Sequence, residues 1–110
     1  MTLSKDLVAA SANPLILSIL SQGESYGYAI LLKVKEISGG DIAWTDGMLY
    51  PVLHRLERKG LIRAEWRTAE SGRRRKYYSI TAPGLAQMER ERAQWMSVHT
   101  ALARMWEDTA

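Results

Sequence analysis

The chain of 110 residues contains no cysteine, and this absence excludes a disulfide framework, thiolate chemistry and a zinc–thiolate site. No apolar run approaches the length of a membrane span, and the N-terminus lacks a basic stretch followed by a long apolar one. We therefore expect a cytoplasmic protein with no membrane partner. Because the chain has only two histidines, a metal site would need carboxylates brought in by the fold, and we predict neither metal nor cofactor.

Motifs that carry enzymatic chemistry are also missing. The sequence has no Gly-rich phosphate loop, no candidate Ser/His/Asp set and no paired carboxylates in a motif. Hydrophobic residues make up 46% of the chain and charged residues 25%, which is typical of an ordinary globular domain. The sequence therefore predicts a single domain's worth of folded chain that is not an enzyme.

The net charge of +3 says little by itself, but its distribution is uneven. Residues 46–76 contain nine Lys or Arg against four Asp or Glu, a local charge of +5, so the other residues together carry −2. A local excess of cations is typical of a surface that binds phosphate groups.

The basic region contains a helix, which we predict over residues 45–59. Its inner face is an apolar stripe at helical spacing, made of Leu49, Val52, Leu53 and Leu56. Thr45 is suited to the N-cap, and Gly60 supplies the stop. The outer face mixes cations with aromatic and apolar tips, which favours entry into a DNA groove: Met48, Tyr50, Pro51, His54, Arg55 and Arg58.

Two further helices are predicted before this one. Residues 3–21 have a helical apolar pattern, in which Pro14 predicts a kink or break near Asn13. The next helix is predicted from about Tyr26 to Ile37, with Ser25 as a possible N-cap. Its predicted inner residues are Ile30, Leu31, Val34 and Ile37. The second and third helices together form a helix-turn-helix arrangement.

A basic hairpin is predicted after Gly60. Residues 61–67 alternate, with Ile62, Ala64 and Trp66 on one face, and residues 75–81 form a second strand with Tyr78 and Ile80 inside. The loop between the strands, residues 68–74, leads into a run of four cations: Arg73, Arg74, Arg75 and Lys76. Such a run is usually a solvated loop, but its position after a groove helix favours a wing that contacts nucleic acid.

A last helix is predicted from Thr81, its N-cap, to about Glu107, roughly 39 Å at 1.5 Å per residue. One seam recurs at alternating spacings of three and four residues: Leu85, Met88, Arg92, Trp95, His99, Leu102 and Trp106. A domain of this size is too small to bury both faces of so long a helix. We therefore expect a second subunit to cover the exposed face. Trp95 then either packs as interface core or stacks against a planar aromatic ligand.

With these pieces in place, the sequence resembles the PadR-type transcriptional regulators, of the short kind with one C-terminal helix. The matching residues are Tyr26-Gly27-Tyr28-Ala29-Ile30, Gly47 to Ile62 and Gly72 to Thr81 followed by Gly84. The resemblance implies a winged helix-turn-helix dimer joined by its first and last helices, which acts in most members as a repressor and in some responds to aromatic compounds. Met48 stands where the family pattern usually has Thr, which leaves operator specificity open.

These observations define the expected molecule. We predict a mostly α, α+β fold, with residues 1–81 as the DNA-binding domain and residues 82–110 as the dimerisation helix. Double-stranded DNA is the expected partner, bound by a homodimer on a pseudo-palindromic operator. The expected DNA-binding residues are Tyr26, Met48, Tyr50, Pro51, His54, Arg55, Arg58, Arg73, Arg74, Arg75 and Lys76. The expected dimer and ligand residues are Leu15, Ile19, Met88, Trp95, His99, Leu102 and Trp106.

One other class of function stays open at this point, a winged helix that serves as a protein-interaction scaffold. A scaffold has no need of Arg55, Arg58 and the four wing cations together, so these residues favour a DNA-binding function. At single positions there are also two interpretations. Tyr50 either packs at the helix start or contacts phosphate, and His54 is an exposed polar residue or a DNA contact rather than a metal ligand.

Overall fold

A computed structural model of the chain describes residues 1–108. The element order is α1 (Lys5–Ser21), β1 (Ser25–Tyr26), α2 (Gly27–Ile37), α3 (Asp46–Arg58), β2 (Ile62–Thr68), β3 (Arg74–Ile80) and α4 (Ala82–Asp108). This confirms the mostly helical α+β fold, a winged helix-turn-helix with a hairpin wing and a long C-terminal helix. The longest dimension is 57 Å, against 30 and 21 Å in the other directions.

Helix α1 begins at Ser4, whose hydroxyl oxygen accepts a hydrogen bond from the Leu7 amide at 3.2 Å. A kink or break was predicted near Asn13; the helix passes through Pro14 as one continuous element, so a break at this point is wrong. Proline removes one backbone donor, but buried side chains on both sides of it, Ala12 before and Ile16 after, hold the helix against the core. Packing therefore outweighs the local cost of the missing hydrogen bond.

The start of α2 differs from the prediction by one residue. Tyr26, not Ser25, occupies the N-cap, and it makes no capping hydrogen bond through its side chain. Ser25 and Tyr26 instead form a short strand that pairs antiparallel with β3, in register with Tyr78 and Tyr77. At the other end of the helix Ile37 is 52% exposed, so its predicted inner position is wrong. As the last helical residue, it lies beyond the surface that α2 buries.

Three antiparallel strands form one sheet in the order β1-β3-β2. The wing register runs from Ile62 opposite Ile80 to Thr68 opposite Arg74. Ile62 and Tyr78 are buried as predicted, but Trp66 is 57% exposed. The alternating pattern placed Trp66 on the same face of the hairpin as Ile62, as the structure has it. However, the hairpin extends beyond the core at this point, so the Trp66 side chain is exposed.

The core lies where the first three helices meet the base of the sheet. It contains Ile16, Leu17 and Leu20 of α1, Ile30 and Val34 of α2, Leu49, Leu53 and Leu56 of α3, and Ile62 and Tyr78 of the sheet. Trp44, in the segment between α2 and α3, is also buried at 8% exposure. Val52, predicted to be inside, is half-buried at the edge of this core.

The hydroxyl of Thr81 joins the turn after α3 to the start of the last helix. It donates to the Gly60 carbonyl at 2.6 Å and accepts from the Gly84 amide at 3.1 Å, which confirms the predicted cap. The first turns of α4 lie against α1, with Met88 half-buried, while Trp95 and Trp106 farther along are 36% and 64% exposed. Most of the helix therefore projects from the body.

We predict that Gly84→Ala destabilises the fold. A Cβ at this position would clash with the backbone carbonyl oxygen of Leu61 and with Ile80 Cγ1. Since backbone cannot swing aside as a side chain can, the overpacking should lower the free energy of unfolding by about 1–3 kcal/mol. Urea denaturation followed by circular dichroism measures the change. Gly47→Ala is the matched control, because its Cβ would meet nothing closer than Thr45 Oγ1 at 3.8 Å. Equal stability of the two variants would contradict the prediction.

Candidate nucleic-acid interface

Helix α3 buries one face and leaves three outward regions. Leu49, Leu53 and Leu56 are at most 1% exposed, so the helix cannot rotate about its axis without exposing them. Pro51 and Arg58, seven residues apart and therefore on one line of the helix, are exposed along its outermost edge. The two remaining regions form opposite flanks, one facing the wing and the other facing α1.

Tyr50 and His54 lie on the wing-side flank of α3. The Tyr50 ring extends to the first residue of α2, where a Cβ on Gly27 would collide with its hydroxyl oxygen and ring edge. Gly27 thus leaves the space that Tyr50 fills, and the phenol lies at the N-terminal end of α2. Tyr50 remains 37% exposed, so it packs at this point and also faces solvent.

Met48, Val52 and Arg55 form the opposite flank, beside α1. They line a cavity of about 210 Å³ together with Ala9, Ala12, Ile16, Trp44 and Leu49. Arg55 Nη2 donates to Asn13 Oδ1 at 3.2 Å, which holds the guanidinium near α1. Arg55 therefore uses one of its five donors within the protein and has four left for other groups.

Each cation of β3 lies over an aromatic ring. The Arg75 guanidinium carbon is 4.5 Å from the centre of the Tyr26 ring, and that of Arg74 is 5.4 Å from Trp66. Lys76 Nζ is 5.6 Å from the centre of the Tyr78 ring. Such contacts restrict where long side chains place their charge. The positions of Arg74, Arg75 and Lys76 along the hairpin are thus defined by these rings.

A separate ion pair joins the loop end of β2 to the turn before β1. Arg67 of β2 contacts Glu24, in the turn before β1, with Nη2 2.6 Å from Oε2, and it also contacts Glu65 at 3.3 Å. Its hydrogen bonds lower the pKa of the Glu24 carboxyl, so the pair stays ionised at neutral pH. Arg67 also lies 4.9 Å from the Tyr77 ring, and Tyr77 meets Tyr26 edge to face at 5.6 Å. Arg67 therefore has a structural role in the hairpin, and Lys76, whose Nζ is 3.9 Å from Glu57 Oε1, joins the wing to α3.

A cleft of about 630 Å³ separates α3 from the wing. Among the described residues no carboxylate lines it; its lining consists of Tyr26, Gly27, Tyr28, Tyr50, His54, Trp66, Arg73, Arg74, Arg75, Lys76 and Tyr78. The hydroxyl of buried Tyr78 has no hydrogen-bond partner among the described residues. Burial, with smaller contributions from Tyr50 and Glu57, raises the pKa of Tyr78 to about 12, so the phenol is neutral. The cleft is therefore a cationic and aromatic surface suited to an anionic partner.

The model of the "Transcriptional regulator PadR-like family" matches residues 16–90, which include every element of the helix-turn-helix and the wing. The chain belongs to this family. Its members are transcriptional regulators, and membership agrees with the prediction that the chain is not an enzyme. PadR-like regulators bind DNA, so the cationic cleft lies in a domain of a DNA-binding family.

Solved PadR-like structures match nearly the whole chain. A transcriptional regulator from Clostridium thermocellum is 27% identical, with a TM-score of 0.84 over 94% of this chain and 97% of that one. A PadR-like transcriptional regulator from Bacillus cereus is 31% identical, with a TM-score of 0.81 over 92% and 96%. Transcriptional regulator YqjI of Escherichia coli is 32% identical over 79 residues, 72% of this chain, but these cover only 36% of YqjI.

The cleft brings together seven of the residues predicted to bind DNA. They are Tyr26, Tyr50, His54, Arg73, Arg74, Arg75 and Lys76. Met48 and Arg55 lie instead on the α1 side of α3, and Pro51 and Arg58 lie on the edge between the two flanks. Four lining residues were not among the predicted site residues: Gly27, Tyr28, Trp66 and Tyr78. Trp66 could have been found from its place opposite Lys76 near the end of the hairpin.

The residues predicted for the dimer and ligand surface divide between two helices. Leu15 and Ile19 of α1 and Met88 of α4 are half-buried against the core, whereas Trp95, His99, Leu102 and Trp106 are exposed along the projecting part of α4. Within the described residues no His, Cys, Asp or Glu cluster could hold a metal ion. Over residues 1–108, none of the helices has the length and apolarity to cross a bilayer.

We predict that Gly27→Ala weakens DNA binding by displacing Tyr50. The new methyl group would occupy the space of the phenol, whose flexible end can move, so the fold should remain stable. If Tyr50 contacts DNA, one lost contact should reduce affinity by about 1–3 kcal/mol. Fluorescence anisotropy with duplex DNA measures the loss, and Gly27→Ala in a Tyr50→Ala background is the control. A further loss of the same size in that background would show that Gly27 acts independently of Tyr50.

Proposed function

We propose that this PadR-like regulator binds duplex DNA as a homodimer, with α3 in the major groove and the wing on the sugar–phosphate backbone, and that it acts as a repressor. The cleft between α3 and the wing carries this proposal, because four cations line it and no carboxylate does. Cations arranged around a protruding helix neutralise phosphates and fix the helix in register.

We assign recognition of the DNA base sequence to side chains on the outer edge and the two flanks of α3. Pro51 and Arg58 are exposed along this edge, and His54 and Arg55 lie on either side of it. Base edges are read by side chains that reach into the major groove, and Arg suits guanine while His offers one donor and one acceptor. Met48, beside Arg55, offers the methyl of thymine an apolar contact where a hydroxyl would offer a hydrogen bond.

The projecting part of α4 supports the homodimer. Val98 is 54% exposed, Leu102 43% and Met105 62%, in the part of α4 that lies beyond Met88, the last residue of this helix packed against the described core. An apolar surface of this kind marks an interaction site in a soluble protein. A second copy, contributing its α1 and α4, would cover it with a matching surface. Two-fold symmetry then requires a pseudo-palindromic operator, with recognition helices about 34 Å apart.

Trp95 is assigned the regulatory role. Its ring is 36% exposed on the same face as Leu102, so a two-fold axis through this seam would bring two such rings near each other. A planar aromatic molecule stacked between them would gain about 0.5–1.5 kcal/mol per ring contact. By favouring one spacing of the subunits, it would shift the dimer away from the state that fits DNA.

Substitutions in the wing and substitutions in α3 should have different effects on DNA binding. We predict that Arg73→Ala and Arg74→Ala weaken binding to all duplexes alike and reduce the dependence of affinity on salt, because phosphate contacts position the protein. His54→Ala and Arg55→Ala should instead change sequence preference, by about 1–3 kcal/mol for each lost base contact. The measurement is a salt titration on operator DNA selected from random duplexes, with non-operator duplex beside it.

Arg63→Ala is the matched control for the wing, since Arg63 is an exposed cation of β2 outside the cleft lining. A change of specificity in the wing variants, with none in the helix variants, would reverse these roles. Absence of duplex binding even at low salt would leave the fold as an interaction scaffold.

Trp95→Ala should keep the dimer and lose the ligand. We predict that light scattering gives two chains per particle for both proteins at micromolar concentration. Titration calorimetry with planar aromatics should give binding to the unaltered protein only, and only that protein should then release DNA. Val98→Ala, a truncation on the same helix at a residue 54% exposed, is the control. Monomeric Trp95→Ala, or equal affinity for every aromatic tested, would make Trp95 interface core alone.

A further inference from the structure

The cleft between α3 and the wing contains more exposed aromatic surface than phosphate binding requires. Tyr28 is 64% exposed and Trp66 57%, and both line the cleft. A DNA duplex presents phosphates and base edges to a protein, while its base faces are stacked inside. Open aromatic faces beside cations are instead the pattern that binds unstacked bases, each held by stacking while its phosphate meets a positive charge.

We propose that this cleft binds an unpaired nucleotide, with its base stacked on Trp66 or Tyr28 and its phosphates beside the wing cations. The shared chemistry is a planar base joined to phosphate, supplied either by a free nucleotide or by a single strand. The proposal concerns the surface assigned to duplex DNA, but it does not depend on duplex binding. A nucleotide in the cleft would exclude the duplex, which gives the regulator a second ligand site distinct from Trp95.

Charge in the cleft favours the phosphate end of such a ligand. Four cations lie on its wing side, and none of the described acidic side chains lines it, although Lys76 Nζ is 3.9 Å from Glu57 Oε1. Arg74 lies over one face of the Trp66 ring, 5.4 Å from its centre, so a base would stack on the other face with this cation within the span of one nucleotide. Arg75 lies similarly at 4.5 Å from Tyr26. A ligand with both an aromatic and an anionic part would use both kinds of group, whereas phosphate alone would use one.

Unused polar groups in the cleft support the same ligand. Helix α2 begins at Gly27 in the cleft, and its N-cap residue Tyr26 makes no side-chain capping hydrogen bond. The first backbone amides of a helix lack intrahelical partners, and such amides bind phosphate. The volume of about 630 Å³ is within the range of small-ligand sites.

The first test compares ATP, adenosine and inorganic tripolyphosphate with the full chain, by calorimetry in metal-free buffer at fixed ionic strength. We expect ATP to bind roughly 5- to 100-fold more tightly than tripolyphosphate, which is the contribution of one stacked base, and more tightly than adenosine. Equal affinity for ATP and tripolyphosphate would overturn the proposal, because the cleft would then be only a cationic surface.

Variants locate the base. Trp66→Ala and Tyr28→Ala are each tested, and at least one should lower ATP affinity to the tripolyphosphate value, with tripolyphosphate binding unchanged. Trp66→Phe should restore stacking if Trp66 is the platform. Leu32→Ala is the matched control, because Leu32 is 50% exposed on the same helix as Tyr28 but outside the cleft lining. Unaltered ATP affinity in both aromatic variants, folded by circular dichroism, would also overturn the proposal.

Competition experiments distinguish a free nucleotide from a single strand as the ligand. They also test whether nucleotide and duplex DNA bind at the same surface. A short oligodeoxyadenylate that binds more tightly per nucleotide than ATP would identify a single strand as the ligand; the reverse order would identify free nucleotide. Either nucleotide ligand should displace labelled duplex DNA from the cleft. Duplex binding that persists in saturating ATP contradicts the shared site. Duplex binding without any ATP binding refutes this inference alone and leaves the DNA-binding proposal standing.

Discussion

The burial of one apolar stripe of α3 sets the geometry of this molecule. Leu49, Leu53 and Leu56 lie under α1 and the base of the sheet with almost no exposed surface. Turning the helix by even one residue position would expose a leucine, and burial of such a side chain contributes about 1.5–3 kcal/mol. The rotation of α3 is therefore fixed, and its outer edge, its flank toward the wing and its flank toward α1 follow from it.

Much of the fold could be predicted because its periodic signals are strong. The recognition helix was expected over residues 45–59 and runs from Asp46 to Arg58, and the cap at Thr81 has the hydrogen bonds that its residue type suggests. The failures share a cause, since they depend on contacts distant in sequence. Ser25 was expected to cap α2, but pairing with Tyr78 takes it into a strand. Alternation gave Trp66 a face but could not show where the core ends.

The residue types of the site were likewise predicted better than the contacts between those residues. The sequence indicated cations on a hairpin and a mixed outer face on a helix, because these depend on residue types at short spacing. It could not indicate that Tyr50 fills the space left by Gly27, that Arg55 binds Asn13, or that Arg75 lies over Tyr26. These contacts join residues 23 to 49 positions apart, and only the folded chain brings them together.

The Thr81 hydroxyl makes the long helix a lever. It donates a hydrogen bond to the Gly60 carbonyl, in the turn after α3, and accepts one from the Gly84 amide, in the first turn of α4. These two bonds connect the end of α3 directly to the start of α4. The 27 residues of α4 extend about 40 Å at 1.5 Å per residue, so a displacement of about 3.5 Å at the far end corresponds to a tilt of about 5° at the near end. In the proposed dimer, motion between the two subunits at the far ends of α4 would thus reach α3 as a small rotation, and the orientation of α3 could change without a flexible hinge.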